Sequence, residues 1–167
     1  MAWDDNAKKL AIKTIGTVES NLKYDCIYYA DPITVGIMQW YATRAAKLLN
    51  KIRATAGAWV GVENSLTNAL SSHSEDDGGY WTSRYLTKAE GSSLKGVLTS
   101  TVGVKIQNAQ TLEDLEAYRV RAAKAELDAN TNTNAFIFWC VMYHQSPRYA
   151  LQILNSAGEN PTLARLH

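Results

Sequence analysis

The chain is poor in cysteine, in proline and in uninterrupted apolar sequence, and it carries almost no excess of either charge. Its two cysteines, Cys26 and Cys140, are too few for a disulfide framework and lack the paired CxxC spacing of a zinc site. A reduced pair is expected, with Cys140 in the core. Only three prolines are present, which excludes a collagen-like or proline-rich low-complexity chain. The longest apolar run, Ala135 to Tyr143, falls well short of the ~18 to 20 residues that span a bilayer, so no transmembrane helix and no membrane partner are expected. The start, MAWDDNAKK, holds two aspartates and no apolar core, and so predicts no secretory signal peptide. Seventeen Lys plus Arg against sixteen Asp plus Glu leave a net charge of +1, without the basic excess that phosphate neutralisation needs, so nucleic acid is not an expected partner.

What is present is a globular composition, 46% hydrophobic and 10% aromatic over 167 residues, the size of one domain spanning 1–167. Almost every segment has a helical period. Ile12, Ile15, Glu19 and Leu22, with Ala7, Ala11 and Val18 beside them, describe a helix from about Asp4 to Asn21. Ala45, Leu48, Leu49 and Ile52 make a stripe closed by Gly57, and Trp59, Val62, Leu66, Ala69 and Leu70 make another before Asp76 to Gly79. Thr87-Lys88-Ala89-Glu90 is a capping-box pattern, with Leu94, Val97 and Leu98 following at helical spacing.

Thr111 can cap a helix carrying Leu115, Tyr118, Ala122 and Ala125. Asn130 to Asn134 reads as a loop before an apolar helix from Ala135 to His144, Ser146-Pro147 opens a further helix ending near Gly158, and Asn160-Pro161 opens a last short one. The expectation is an all-α fold of about eight helices with little or no sheet. Thr99 to Ile106 is the most strand-like stretch, weakened by Gly103.

Glu19 stands out because it shares a face with Ile12, Ile15 and Leu22. A carboxylate facing a core must be paired, metal-bound or kept protonated by a raised pKa, and the last state suits a general acid. A polar, aromatic loop follows, then Asp31-Pro32-Ile33-Thr34-Val35-Gly36-Ile37-Met38-Gln39-Trp40. Such a loop can fold back over the helix end and bring Asp31 and the Gln39 amide near Glu19.

Glu19-Ser20, a loop, then Gly36-Ile37-Met38-Gln39 resembles the lysozyme-like superfamily, closest to goose-type lysozymes and soluble lytic transglycosylases. Tyr143-His144-Gln145-Ser146-Pro147 is similar to the Tyr-Asn-Ala-Gly-Pro motif of those enzymes, matching at its tyrosine and proline and differing in the middle three residues. The resemblance runs from about Ile12 to Ala150, with 50–130 covered by helical pattern alone. It looks like the glycan-cleaving domain of a bacteriophage endolysin or tail-associated wall hydrolase acting on Gram-positive hosts.

That resemblance implies cleavage of the β-1,4 bond between N-acetylmuramic acid and N-acetylglucosamine, with no cofactor and no metal, by a monomer or by one domain of a larger lysin. It also implies synthesis in the host cytoplasm and action on the cell wall. Glu19 inherits the role of general acid, since a glycosidic oxygen leaves only when protonated. Asp31 falls where goose-type lysozymes carry a water-orienting aspartate, although Asp31-Pro32 is equally an ordinary turn starter and Asp25 is the other carboxylate nearby. Transglycosylases need no such group, because the substrate's own acetamido or 6-hydroxyl group completes the reaction.

Ser20, Met38, Gln39, Tyr143 and Gln145 are the expected substrate contacts, Met38 and Gln39 as groove floor and the Tyr143 hydroxyl toward the acid, while His144 replaces the family's asparagine. Tyr80, in Gly78-Gly79-Tyr80-Trp81, is a further stacking candidate, with Trp81 equally suited to anchor a core. The acids around His73 (Glu75, Asp76, Asp77) lack the spread of a calcium loop and read as solvated. Two alternatives use the same features. One is a chitinase-like or chitosanase-like glycosidase, and the other is a non-catalytic phage structural or wall-binding module on this scaffold.

Overall fold

The structure, a computed structural model, describes residues 3–167, so the first two residues of the MAWDDNAKK start lie outside it. Nine helices and three very short strands follow one another among the described residues, in agreement with an all-α class. The chain sorts into two compact units, one made of the segment up to Val18 together with Thr111–His167, the other of Glu19–Gln110.

Helix α1 (Asp5–Ser20) begins where the Asp4 carboxylate accepts the N–H groups of Asn6 and Ala7 at 3.0 Å, the arrangement of an N-cap. Its buried row is Ala7, Ala11 and Ile15, and Glu19 is the next residue at that i, i+4 spacing. Val18 and Leu22 are exposed, so the expected stripe is narrower than the sequence pattern drew it. The helix stops because Asn21 and Leu22 both turn into the left-handed region, with φ of 54° and 62°.

The Glu19–Gln110 unit continues with strands β1 (Ile27–Tyr28), β2 (Thr34–Val35) and β3 (Trp40–Tyr41). They form an antiparallel sheet in the order β1-β2-β3 with Ile27 opposite Val35 and Val35 opposite Trp40. Two-residue strands give no periodicity to read, which is why the sequence pattern missed them. Helices α2 (Thr43–Arg53), α3 (Asn64–Ser72), α4 (Gly78–Trp81) and α5 (Lys88–Thr99) follow, and α2 packs on β3, α3 and α4. Val35, Met38, Trp40, Leu48, Leu49, Ile52, Leu66, Trp81 and Leu94 are sealed from solvent. Trp59 and Val62 precede α3 rather than belonging to it, and the Trp59 indole N–H donates to Thr67 Oγ1 at 2.9 Å. The capping box at Thr87 and Glu90 is present in both directions.

Helix α6 (Thr101–Ala123) overturns two sequence expectations at once. The stretch 99–106 is helical except for a break at Ser100, and Thr111 lies inside the helix, fully buried, instead of capping it. Ser100 is the residue at the start: its Oγ accepts the Gly103 N–H at 3.0 Å. Gly103 allows the close approach of α6 to the end of α5, since a Cβ there would stand 2.1 Å from the Val97 carbonyl oxygen. Tertiary packing thus overrides the β-branched composition of Thr99, Thr101, Val102, Val104 and Ile106.

In the other unit, α7 (Thr133–Gln145) packs on α8 (Pro147–Ala157) and α9 (Leu163–Leu166). Phe136, Trp139 and Cys140 are fully buried, the Trp139 indole donates to the Ala150 carbonyl at 2.9 Å, and Trp3 meets Phe136 edge-on at 5.1 Å. Both cysteines are free thiols, as expected. No described helix is long and apolar enough to cross a membrane.

Candidate active site

Glu19 sits in the last turn of α1. Its Oε1 is shielded from solvent while the residue as a whole is half-buried. Ser20, next to it, is buried and turns its hydroxyl inward, donating to the Ile37 carbonyl at 2.7 Å. The two motifs that the sequence separates by a loop are therefore joined by a buried hydrogen bond.

Residues 36–39 form the turn between β2 and β3. Gly36 takes φ of +86°, and a Cβ there would lie 2.6 Å from Gln107 Oε1 and 2.9 Å from the Trp40 ring, so both conformation and space demand glycine. Gln39, at φ of 48°, closes the turn: its backbone N–H donates to the Gly36 carbonyl at 3.1 Å, and its side-chain amide donates to the same carbonyl at 2.9 Å and to the Cys26 carbonyl at 3.2 Å. Gly36 N–H also donates to Cys26, at 2.8 Å. From α6, Gln107 enters the same turn, its Oε1 accepting the Ile37 N–H at 3.0 Å and its amide donating to the Leu98 carbonyl at 2.9 Å.

The structure thus ties Ser20, the neighbour of Glu19, to the turn that carries Met38 and Gln39. Met38 is fully buried and offers no surface, Ser20's hydroxyl is engaged with the protein, and Gln39's amide nitrogen braces its own turn. Asp31 is exposed in the bend before Pro32, and Asp25 is half-exposed beside Cys26. Burial, reinforced by the Asp25 charge, pushes the Cys26 thiol up and keeps it protonated at neutral pH.

Tyr80 stands on α4, its N–H held by the Asp77 carboxylate at 3.0 Å. Its ring stacks on His73 with centroids 3.4 Å apart, and Trp81 beside it is fully buried. Tyr143 and Gln145 belong to the other unit. The Tyr143 ring rests against Tyr118 (4.9 Å) and Trp139 (4.7 Å) with the Arg121 guanidinium 5.9 Å over its face, Gln145 is exposed at the end of α7, and the Tyr118 hydroxyl meets His144 Nδ1 at 2.9 Å. Among the described residues no group of three or more His, Cys, Asp or Glu side chains is placed to hold a metal ion.

Gln107 is the site-forming residue that sequence reasoning passed over. It lies in the half of α6 whose start reads as strand-like, and one amide in a stretch that also holds Lys105, Asn108 and Gln110 carries no pattern of its own. No family model, no curated protein and no solved structure matches this chain.

Proposed function

We propose that this chain cleaves bacterial peptidoglycan glycan strands at the β-1,4 bond between N-acetylmuramic acid and N-acetylglucosamine, as the lytic domain of a phage endolysin or wall hydrolase, with Glu19 as general acid. The observation that supports the reading best is the buried Ser20–Ile37 hydrogen bond, which ties the glutamate's helix end to the Gly-Ile-Met-Gln turn. Two short motifs that could each arise by chance are parts of one construction, with the carboxyl at its edge half-covered. In this reading the Glu19 carboxyl passes its proton to the glycosidic oxygen as the anomeric carbon gains oxocarbenium character.

Glu19→Gln keeps shape and removes the transferable proton. The expected outcome is a folded protein with release of soluble fragments from purified Gram-positive walls reduced at least ~10²-fold. Retention of more than about a tenth of the wild-type rate contradicts the assignment, since general-acid loss costs far more than that. Parallel digestion of chitin oligomers separates a muramidase from a chitinase-like enzyme, and wall binding without fragment release marks a non-catalytic module. Mass analysis of the products gives the reaction type: a reducing muramic acid end means hydrolysis, a 1,6-anhydro end transglycosylation.

A further inference from the structure

We infer that Gln107 is a positioning residue for Glu19, acting through the Ile37 peptide, an inference that rests on the functional reading above. Both polar groups of Ile37 are taken up by side chains from distant points of the chain. Its N–H donates to Gln107 Oε1 at 3.0 Å and its carbonyl accepts from Ser20 Oγ at 2.7 Å, so a single residue of the turn links α6 to the end of α1. Ser20 is the immediate neighbour of Glu19, and any drift of the turn is transmitted to the acid through one side chain and one peptide bond.

Gln107 is itself fixed. It is fully buried, its amide is held by the Leu98 carbonyl at the end of α5, and Gly36 leaves open the space its Oε1 fills. An apolar side chain of equal length would fill that space with no desolvation of an amide. What the glutamine adds is a directional bond at each end, one to a helix terminus and one to the turn, and directional bonds fix position where packing alone tolerates sliding.

The test measures initial rates of fragment release from purified walls, as a function of wall concentration, for the full chain and its variants. Gln107→Met keeps the shape and loses both bonds; kcat is expected to fall about tenfold or more with KM within about twofold, because misplacement of a reacting group acts on turnover. Gln107→Glu keeps the acceptor toward Ile37 and, with its carboxyl protonated, a donor toward the Leu98 carbonyl, so it is expected to recover much of that loss at acidic pH and to lose the gain as the buried carboxyl ionises, a pH dependence that a purely stabilising role would not produce. Ser20→Ala cuts the other end of the link, and the double variant Ser20→Ala with Gln107→Met should be no slower than the worse single variant, the mark of a shared pathway.

A wild-type kcat in Gln107→Met, equal damage in Gln107→Glu and Gln107→Met at acidic pH, or multiplying losses in the double variant would overturn the inference. If Gln107→Met does not fold, Ser20→Ala carries the comparison, and an unchanged kcat there overturns it equally. A wild-type chain that releases no fragments, or an active Glu19→Gln, overturns the functional reading and this inference together. An active wild type, a silent Glu19→Gln and a full-rate Gln107→Met overturn the inference alone.

Discussion

Glu90 is nearly sealed from water, yet it is held as an anion. Burial raises its pKa, but the Arg84 guanidinium, the Ser65 hydroxyl at 2.6 Å and the Thr87 N–H at 2.9 Å together outweigh burial and hold the carboxyl below its usual range. A folded-state pKa below the unfolded one gives stability that is present above the unfolded value and is lost as pH falls through the folded value. Glu90→Gln should therefore lower stability at pH 7 by about 3 kcal/mol, since it leaves a mostly buried Arg84 without its counter-charge. The difference should shrink as the wild-type carboxyl protonates in acid. Melting curves of both proteins at pH 7 and pH 3 check it, and a constant difference contradicts the assignment. The sequence announced this residue through its capping box but gave no hint of Arg84 or Ser65, because those contacts are set by tertiary structure. Asp31 is the opposite case, exposed and read two ways. As the base of a hydrolase, Asp31→Asn would cost about 10² to 10⁴-fold in turnover. As a turn residue it would cost little, and product analysis beside the rate separates the two.

At the scale of elements, the α5–α6 joint shows where local signals fail. Five β-branched residues between Thr99 and Ile106 resemble a strand, and only Ser100 and Gly103 betray a helix start, the first by capping and the second by what it omits. Gly103→Ala forces a methyl against the Val97 and Leu98 carbonyls, both backbone atoms, and is expected to destabilise by about 3 kcal/mol. Gly96→Ala, in the same region of α5 but with nothing near its Cβ, should instead gain up to about 1 kcal/mol from helix propensity. Chemical denaturation of the two variants reads both signs. Elements with long apolar rows are legible to within a few residues: α1, α2 and α7 lie close to where periodicity puts them, and α8 lies where Ser146-Pro147 and Gly158 bound it. The three strands are not, and they carry the turn on which the site is built. The Glu-Ser and Gly-Ile-Met-Gln motifs were visible as letters, while the hydrogen bond that joins them exists only in the fold.

At the scale of the molecule, the two units differ in how the chain composes them. The unit holding Glu19, the turn and Gln107 is one continuous stretch, Glu19–Gln110, whereas the other needs both the opening segment up to Val18 and everything from Thr111 onward. Translation is directional, and this asymmetry has an order in time. Every hydrogen bond that fastens the Ser20–Ile37–Gln107 link joins groups already synthesised when residue 110 is added. The opening segment, including most of α1, must wait for its partners until the ribosome has made the last third of the chain.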